Sequence, residues 1–301
     1  MKNIHWLGSG LSSIPGIRRL ASNNYNLTVW NRTLSKAQKS IDHVKTDKVS
    51  AKTFNINEIE KKVEQGDIIV SQLTASMHLD IAKICLEKKC HFVTTSYLAP
   101  DIKKLNEQAV AQNLTFINEV GLDPGIDHFF SHLLVQELKS LNLNNLSVSY
   151  KSYCGGIPAV PNDFKYKFSW SPVGVIKALN SPAKFTQNFE EKLVPQPYKE
   201  VKNHLINSES FEAYPNRDSL PYIEEYLFSP EWKIKEFVRG TLRLNGWTLA
   251  WREIFNMLEK QEANIEEQIQ QKSNELWKNY RYDKNEEDRV VLWVNLEAEQ
   301  Q

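Results

Sequence analysis

Short apolar runs alternate with segments of helical character through the first 117 residues. The apolar runs have the composition of buried strands and lie at residues 3–7, 27–30, 67–73, 91–95 and 114–117. Helices are predicted between them at residues 14–21, 79–86 and 101–112. Because strands that alternate with helices form parallel βαβ units, this pattern predicts a doubly wound α/β sheet.

Length, composition and charge narrow the class of protein. A chain of 301 residues with 41% hydrophobic and 25% charged residues is typical of an ordinary globular protein with two domains. The charge is balanced, with 37 basic and 37 acidic residues, which disfavours nucleic acid and anionic membranes as partners. No apolar stretch approaches the roughly 18–20 residues of a membrane-spanning helix, and the first residues lack the apolar core of a signal peptide.

The cysteines indicate the compartment. The sequence has three, Cys85, Cys90 and Cys154, without CxxC spacing. This count favours free thiols in a reducing cytosol over a disulfide framework or a zinc site. We therefore expect a cytoplasmic protein.

A glycine-rich turn joins the first predicted strand to the first helix. In a dinucleotide-binding turn, the first glycine, Gly8, permits the tight turn, and the second, Gly10, lets the backbone approach a pyrophosphate at the helix start. The third position of this motif serves close packing of the helix on the strand, and it is Ser13, which is small but not a glycine. An ordinary βα turn without a ligand is the alternative interpretation.

The end of the second strand indicates which dinucleotide is bound. An NAD-binding fold usually places an acidic residue there for the ribose hydroxyls, but this chain has Asn31, Arg32 and Thr33. Arg32 can meet a 2′-phosphate, which favours NADP(H); a solvated surface arginine is the alternative. Since such a sheet binds its ligand at the carboxyl ends of the strands, polar or small segments are expected to share one rim. These segments are Gly8–Ser13, Asn31–Arg32, Leu73–Thr74, Thr95–Tyr97 and Asn118–Glu119.

A longer block of sequence follows the last of these strands. The run NEVGLDPGIDH at residues 118–128 resembles the signature of the saccharopine reductases, also called saccharopine dehydrogenases, L-glutamate-forming. Read by itself, the run is a Pro-Gly turn that leads into a helix capped by Asp127. Further blocks resemble the same family in the same order, at residues 152–159, 166–175, 214–219 and 238–243.

This resemblance implies a fold and a reaction. The fold is a Rossmann-type doubly wound parallel sheet over residues 1–121, followed by a second α/β (α+β) substrate domain with a mixed sheet over residues 122–301. The reaction belongs to lysine metabolism: NADP-linked oxidation of saccharopine to an imine, which water splits into L-glutamate and 2-aminoadipate 6-semialdehyde. The expected partners are this small amino-acid substrate and a second copy of the chain in a homodimer.

The resemblance also implies the residues of the site. Saccharopine carries three carboxylates, which the planar fork of arginine holds well. The expected substrate-binding residues are Ser96, Tyr97, Asp123, Ser171, Arg217, Gly240, Thr241 and Arg243. The expected cofactor-binding residues are Gly8, Ser9, Gly10, Leu11, Ser12, Asn31, Arg32, Thr33, Leu73, Thr74, Leu122, Pro124 and Ser169. For proton transfer the expected catalytic residues are Asp123, Cys154 and Tyr97, with Lys167 and His128 as further candidates.

Several of these assignments have alternatives. Cys154 can be a core thiol, and His128 can be a histidine packed at the start of the helix. Arg243 alternates with Leu242 and Leu244 in a strand-like run, so an exposed position on the outer face is the competing interpretation. His128 and His132 have the spacing of a two-histidine zinc site, but the glutamate of an HExxH motif is missing and no third ligand is evident. We therefore predict no metal.

The resemblance weakens after Trp247. Residues 257–277 are rich in Glu, Gln and Lys, with Ile265, Ile269 and Leu276 near helical spacing, and are predicted to form a solvated amphipathic helix. Residues 288–296 match a strand of the substrate domain, and the family segment that returns to the Rossmann domain is then expected to be missing. The alternative functions are a related imine reductase, such as a carboxynorspermidine-type dehydrogenase, and a nucleotide-binding protein without catalytic activity.

Overall fold

A computed structural model describes residues 2–260 and 263–300. By its internal contacts the chain divides into two compact units, Met1–Ile126 and Asp127–Gln301. This division comes five residues after the domain boundary expected at residue 121.

The N-terminal unit is a parallel sheet with helices along its connections. Its strands are β1 (Asn3–Leu7), β2 (Asn26–Asn31), β3 (Val49–Thr53), β4 (Ile68–Ser71), β5 (His91–Thr94) and β6 (Phe116–Ile117). Its helices are α1 (Ile14–Ser22), α2 (Leu34–Ser40), α3 (Ile56–Lys62), α4 (His78–Lys88), α5 (Pro100–Lys103) and α6 (Asn106–Ala111). The strand order is β3-β2-β1-β4-β5-β6 with parallel pairing throughout, which confirms the predicted doubly wound sheet.

The strand order creates a binding crevice. Strand β1 pairs with β2 on one side and with β4 on the other, so the chain reverses its direction of travel across the sheet at β1. Ligands of open α/β sheets bind at this switch point, beyond the carboxyl ends of the strands. Two apolar clusters, one with Leu7 and one with Val29, pack the inner strands against the helices.

The sequence pattern missed or misplaced several elements of this unit. Strand β3 was not predicted, because its residues are only half-buried or exposed at the edge of the sheet and Lys52 interrupts its apolar character. The helix predicted at residues 101–112 is two short helices, since Leu105 donates its N–H to the carbonyl of Ile102 in a tighter turn between them. The strand predicted at residues 114–117 is confined to Phe116 and Ile117.

The C-terminal unit is built on a second sheet. Its strands are β7 (Leu146–Pro158), β8 (Ala183–Gln187), β9 (Glu190–Val194), β10 (Lys202–Ile206), β11 (Glu209–Pro215), β12 (Lys233–Leu244) and β13 (Asp288–Gln300). Its helices are α7 (Ile126–Ser140), α8 (Pro172–Leu179), α9 (Pro221–Glu225), α10 (Trp247–Ala250), α11 (Arg252–Lys260) and α12 (Ile265–Tyr280). Strands β12 and β7 are parallel and the other pairs are antiparallel, which confirms the mixed sheet.

Aromatic side chains fill the core of this unit. The rings of Trp247, Trp251 and Phe168 are fully buried in one cluster, to which α8, α11 and α12 contribute Ile176, Leu258 and other apolar side chains. Tyr214 of β11, the strand that pairs with β12, belongs to this cluster.

The helix predicted at residues 257–277 also differs from the structure. Helix α11 ends at Lys260 and α12 begins at Ile265, while residues 261–262 lie outside the described part of the chain. The amphipathic character is confirmed for α12, in which Ile269 and Leu276 are buried. The strand expected at residues 288–296 is present as β13 and continues to Gln300. No helix in the described part of the chain is long and apolar enough to cross a membrane.

Candidate functional site

A cavity of about 430 Å³ lies at the carboxyl ends of β1, β2 and β4. Eight of the expected cofactor-binding residues line it: Gly8, Ser9, Gly10, Asn31, Arg32, Thr33, Leu73 and Thr74. Leu11 and Ser12 follow in a short 3-10 turn, with exposed side chains. Four further lining residues were not predicted: Lys36, Phe54, Gln72 and Met77. Phe54 directly follows the missed strand β3, and Lys36 is on the first turn of helix α2.

The presence of glycine at residues 8 and 10 has two different explanations. Gly8 has φ +100°, and a Cβ placed on it would lie 2.6 Å from the carbonyl oxygen of Gln72, so the fold itself requires glycine there. Gly10 has an ordinary extended backbone, and no protein atom lies within 4 Å of a Cβ placed on it. The fold therefore gives no reason for glycine at residue 10, whereas a dinucleotide in this cavity would. The cavity fits the pyrophosphate-binding role expected from the sequence.

A third glycine, Gly16, allows helix α1 to pack closely on strand β1. A Cβ on Gly16 would lie 2.7 Å from the ring of Trp6, so close packing of α1 on β1 depends on Gly16. The sequence motif had assigned this role to Ser13, which is buried in the 3-10 turn before the helix. The glycine that permits close packing is thus three residues later than expected.

Asn31 occupies the position where NAD-binding folds carry an acid. Its amide nitrogen donates to Ser9 Oγ at 2.7 Å, and its Oδ1 accepts the backbone N–H of Thr33 at 2.9 Å. Asn31 therefore ties the end of β2 to the glycine-rich turn. Arg32 and Lys36, both exposed, bring two cations to the same part of the cavity, as a 2′-phosphate requires.

We expect Arg32→Ala to weaken NADPH binding by about tenfold to a hundredfold, the range of one charge-assisted hydrogen bond. NADH, which lacks the phosphate, should lose less than about twofold, because no charge-assisted bond is removed. Lys36→Ala should have the same selectivity with a smaller loss. The measurement is titration of each variant with both nucleotides. Lys39→Ala, on the same helix but outside the cavity, is the matched control, and equal losses for the two nucleotides would refute the phosphate assignment.

Two expected catalytic residues are in contact. The hydroxyl of Tyr97 donates to Asp123 Oδ1 at 3.0 Å, and both side chains are partly exposed. Asp123 and Pro124 are joined by a cis peptide bond in a turn that closes between Gly121 and Gly125. Gly125, at φ +147°, leaves no room for a Cβ against the backbone of Gly121. The turn therefore fixes the Asp123 backbone, with Leu122 partly exposed and Pro124 buried.

Ser96 is held by a buried histidine. His78 Nε2 lies 2.8 Å from Ser96 Oγ, and His78 Nδ1 lies 2.9 Å from Ser71 Oγ. Burial lowers the pKa of His78, which keeps its ring neutral near pH 7. Sequence reasoning missed His78, because its two partners are separated from it by 7 and 18 residues.

In the C-terminal unit, β7 carries the expected residue Cys154, and β12 carries Gly240, Thr241 and Arg243. Cys154 and Thr241 are paired in register and partly exposed. Gly240 is buried, and a Cβ on it would clash with the Tyr153 ring at 2.5 Å, so strand packing requires this glycine.

Arg243 is buried, and the alternative of an exposed outer face is wrong. Its guanidinium carbon lies 5.1, 5.6 and 5.5 Å from the ring centres of Tyr166, Tyr214 and Trp247. Only 9% of Arg243 is exposed, because both faces of this part of the sheet are covered. One Nη donates to the carbonyl of Leu242 at 3.1 Å.

Arg217, Ser169 and Ser171 lie at the surface of the C-terminal unit. Arg217 is exposed and has a left-handed backbone, with φ 59°. Ser169 and Ser171 are exposed just before helix α8. Lys167 forms an ion pair with Glu286, which gives this candidate proton-transfer residue a carboxylate partner.

A buried ion pair follows the turn at Asp123-Pro124-Gly125, called the DPG turn below. Arg239 Nη2 lies 2.6 Å from Asp127 Oδ2, with side-chain exposures of 7% and 0%. The Arg239 guanidinium also stacks on the Tyr222 ring at 4.0 Å. Asp127 had been interpreted as a helix cap, but its carboxylate is committed to an arginine 112 residues away, which sequence spacing cannot reveal.

The two histidines after this turn pack against tyrosines. His128 Nδ1 is 2.8 Å from the Tyr226 hydroxyl, and its ring stacks on Tyr222 at 5.5 Å. His132 meets the Tyr226 ring edge-on at 5.6 Å. Within residues 2–260 and 263–300, no group of three or more His, Cys, Asp or Glu is placed to hold a metal ion.

The fold and the cavity define a dinucleotide-binding protein of the Rossmann class with a second α/β domain. The chain belongs to the saccharopine dehydrogenase family: residues 4–117 match the saccharopine dehydrogenase NADP binding domain, and residues 121–301 match the saccharopine dehydrogenase C-terminal domain. The first match confirms the expected NADP(H) cofactor.

Sequence similarity to named proteins supports the same family assignment. The chain is 35% identical over 255 residues to saccharopine dehydrogenase [NADP(+), L-glutamate-forming] of Pyricularia oryzae, covering 82% of this chain and 55% of the relative. It is 36% identical over 257 residues to the protein of that name from Schizosaccharomyces pombe, covering 82% and 56%. The chain thus spans about half the length of these relatives.

A solved structure supports the fold. Apo saccharopine dehydrogenase (L-Glu forming) from Saccharomyces cerevisiae superposes with a TM-score of 0.77 and 24% identity, covering 98% of this chain and 86% of that one.

Proposed function

We propose that this chain is an NADP(H)-dependent oxidoreductase that interconverts saccharopine with L-glutamate and 2-aminoadipate 6-semialdehyde through an imine. The observation that carries the proposal is the Tyr97–Asp123 hydrogen bond in the same unit as the dinucleotide cavity. The names of the relatives, which specify NADP(+) and glutamate formation, support the choice of substrate.

The chain's own residues then have separate tasks. NADPH, when bound, supplies a hydride to the imine carbon. Gly10, Arg32 and Lys36 would hold the cofactor by its phosphates. Because hydride transfer depends mainly on position, the protein's chemical contribution is to move protons during imine formation and hydrolysis.

Tyr97 and Asp123 are suited to those proton transfers. The carboxylate of Asp123 accepts the Tyr97 hydroxyl proton in a hydrogen bond, so the pair can take or return a proton at the substrate nitrogen or at water. Cys154 and Thr241, side by side on the second sheet, contribute a thiol and a hydroxyl to the substrate domain. Arg217 and Arg243 provide cations for carboxylates, of which saccharopine has three.

We also propose a compartment and an oligomeric state for this chain. Cys85, Cys90 and Cys154 are thiols rather than disulfides, and thiols persist in a reducing compartment such as the cytoplasm. Phe129, Phe130 and Leu133 are exposed on helix α7, and adjoining apolar side chains of this size are typical of protein contacts. We assign them to a homodimer; sedimentation equilibrium measures it, and a monomer at all concentrations would contradict it.

The deciding assay follows NADPH oxidation by this chain with glutamate plus 2-aminoadipate semialdehyde. We expect turnover with this pair and none when a putrescine-type diamine replaces glutamate, because a diamine lacks the carboxylates. Preference for the diamine would favour the related imine reductases instead. NADPH binding without turnover of either pair would identify a non-catalytic nucleotide-binding protein. Asp123→Asn is the internal control, with NADPH affinity retained and turnover reduced by about 10²–10⁴-fold, the range of one acid–base group.

A further inference from the structure

Three hydroxyls surround the His78 ring at the carboxyl ends of β4 and β5. Ser71 Oγ is 2.9 Å from Nδ1, while Ser96 Oγ and Thr94 Oγ1 are 2.8 and 3.4 Å from Nε2. His78 is 2% exposed, and Ser71 and Thr94 are fully buried. Only Ser96 is partly open to solvent, so it is the end of this chain of hydrogen bonds that a ligand can reach.

The position of the ring proton follows from counting donors and acceptors. A neutral imidazole carries one proton, on either Nδ1 or Nε2. With the proton on Nδ1, the ring donates to Ser71, and the buried Ser71 hydroxyl has no acceptor for its own proton among the described residues. With the proton on Nε2, Ser71 donates to Nδ1 and the ring donates to Ser96. Thr94 does not discriminate between the two forms, because the single proton or lone pair of Nε2 is engaged by Ser96 at 2.8 Å in both and leaves the Thr94 hydroxyl without an acceptor there. Since unsatisfied buried donors are costly, the Nε2–H form is favoured.

This tautomer fixes what Ser96 can do. Its Oγ accepts a hydrogen bond from the Nε2–H group of His78, so its own hydroxyl hydrogen is directed elsewhere. Its backbone is held as well, because the Ser96 N–H donates to Thr94 Oγ1 at 3.3 Å and its carbonyl accepts from Glu119 N at 3.1 Å. The result is a positioned hydroxyl donor, which suits an anionic oxygen.

We propose that His78 is a positioning residue that presents the Ser96 hydroxyl as a donor to a carboxylate of the amino-acid substrate. The identity of that ligand rests on the proposed function; the hydrogen-bond arrangement of His78 does not. Ser96 contacts the substrate, and His78 acts through Ser96.

The tautomer of His78 can be measured without an enzymatic assay. Long-range ¹H–¹⁵N spectra of the full chain labelled at histidine report the protonation state of each ring, and His78→Gln identifies the His78 signals among the seven histidines. The expected result is a neutral ring protonated on Nε2 near pH 7. Ser71→Ala removes the donor to Nδ1 and should shift the ring towards Nδ1–H. A ring already protonated on Nδ1, or an imidazolium, would overturn the proposal.

Kinetics test the action through Ser96. Ser96→Ala should raise the KM for saccharopine by about tenfold to a hundredfold, the loss of one charge-assisted hydrogen bond, with NADPH affinity unchanged. His78→Leu should raise the KM similarly, and the double variant should add nothing further. In His78→Gln the amide can still donate to Ser96, so the KM for saccharopine should stay close to the parent value. The melting temperature of each variant shows whether that variant is folded.

Two outcomes separate the proposals. Additive effects of His78→Leu and Ser96→Ala, or an unchanged KM in Ser96→Ala, would reject the positioning role although saccharopine is turned over. Absence of turnover in the parent chain would reject the proposed function and the carboxylate ligand with it, while the Nε2–H result would still establish Ser96 as a fixed donor.

Discussion

Gly10→Ala is expected to lower NADPH affinity by about a hundredfold, equivalent to about 2.8 kcal/mol at 1.4 kcal/mol per tenfold. The free energy of unfolding should stay within about 0.5 kcal/mol of the parent value, as for surface substitutions. The reason is that a methyl group at residue 10 meets no protein atom and projects only into the space that a pyrophosphate would fill. Nucleotide titration and urea unfolding of the same preparation measure the two quantities.

Gly8→Ala is the matched control. It combines a positive φ with a clash against the Gln72 carbonyl, and we expect it to lose both NADPH binding and about 1–3 kcal/mol of stability. If Gly10→Ala instead lowered the free energy of unfolding and left the NADPH affinity unchanged, we would conclude that this loop does not bind the pyrophosphate. The contrast between the two glycines is therefore a test of where the cofactor lies.

Arg239→Met is expected to lower the free energy of unfolding by about 3–5 kcal/mol, the usual cost of leaving one member of a buried ion pair behind. The Asp127 carboxylate is fully buried and its bond to Arg239 is short, so its charge would lose a close partner in a medium of low dielectric constant. Urea unfolding monitored by circular dichroism measures the loss.

Two further variants test this explanation. Lys104→Ala removes the exposed pair with Asp101 and should cost less than about 1 kcal/mol. The double variant Asp127→Leu with Arg239→Met removes both charges and should recover much of the stability, because no buried charge remains. A double variant as unstable as Arg239→Met would show that packing on Tyr222, rather than the charge on Asp127, sets the cost.

The sequence predicts the parallel sheet well because its inner strands are continuous apolar runs. Residues such as Leu27, Val29 and Ile69 are buried between two helical layers, so a short apolar run is a direct sign of a strand. The edge strand β3 lacks this sign, because its side chains are only half-buried or exposed. Phe54 and the cavity wall it forms were missed for the same reason.

The site is predictable only where its residues are local in sequence. The glycine-rich turn, Arg32 and the DPG turn are contiguous motifs, and a pattern can find them. Arg243 is different, because the aromatic rings that cover it come from residues 166, 214 and 247, and alternation along one strand says nothing about what covers the other side. His78 likewise acquires its role from two neighbouring strands.

The packing of Trp6 gives the molecule an intrinsic optical probe. Its indole N–H donates to the Gly8 carbonyl at 2.9 Å, and its ring rests on Gly16, so the fluorophore is bonded directly to the loop that would receive the coenzyme. Trp6 and Trp30 are the tryptophans of the first 126 residues, and the other six of the eight lie beyond them in the sequence. Because reduced nicotinamide absorbs tryptophan emission, the difference in quenching between the parent chain and Trp6→Phe would report loading of the loop through Trp6, without a label.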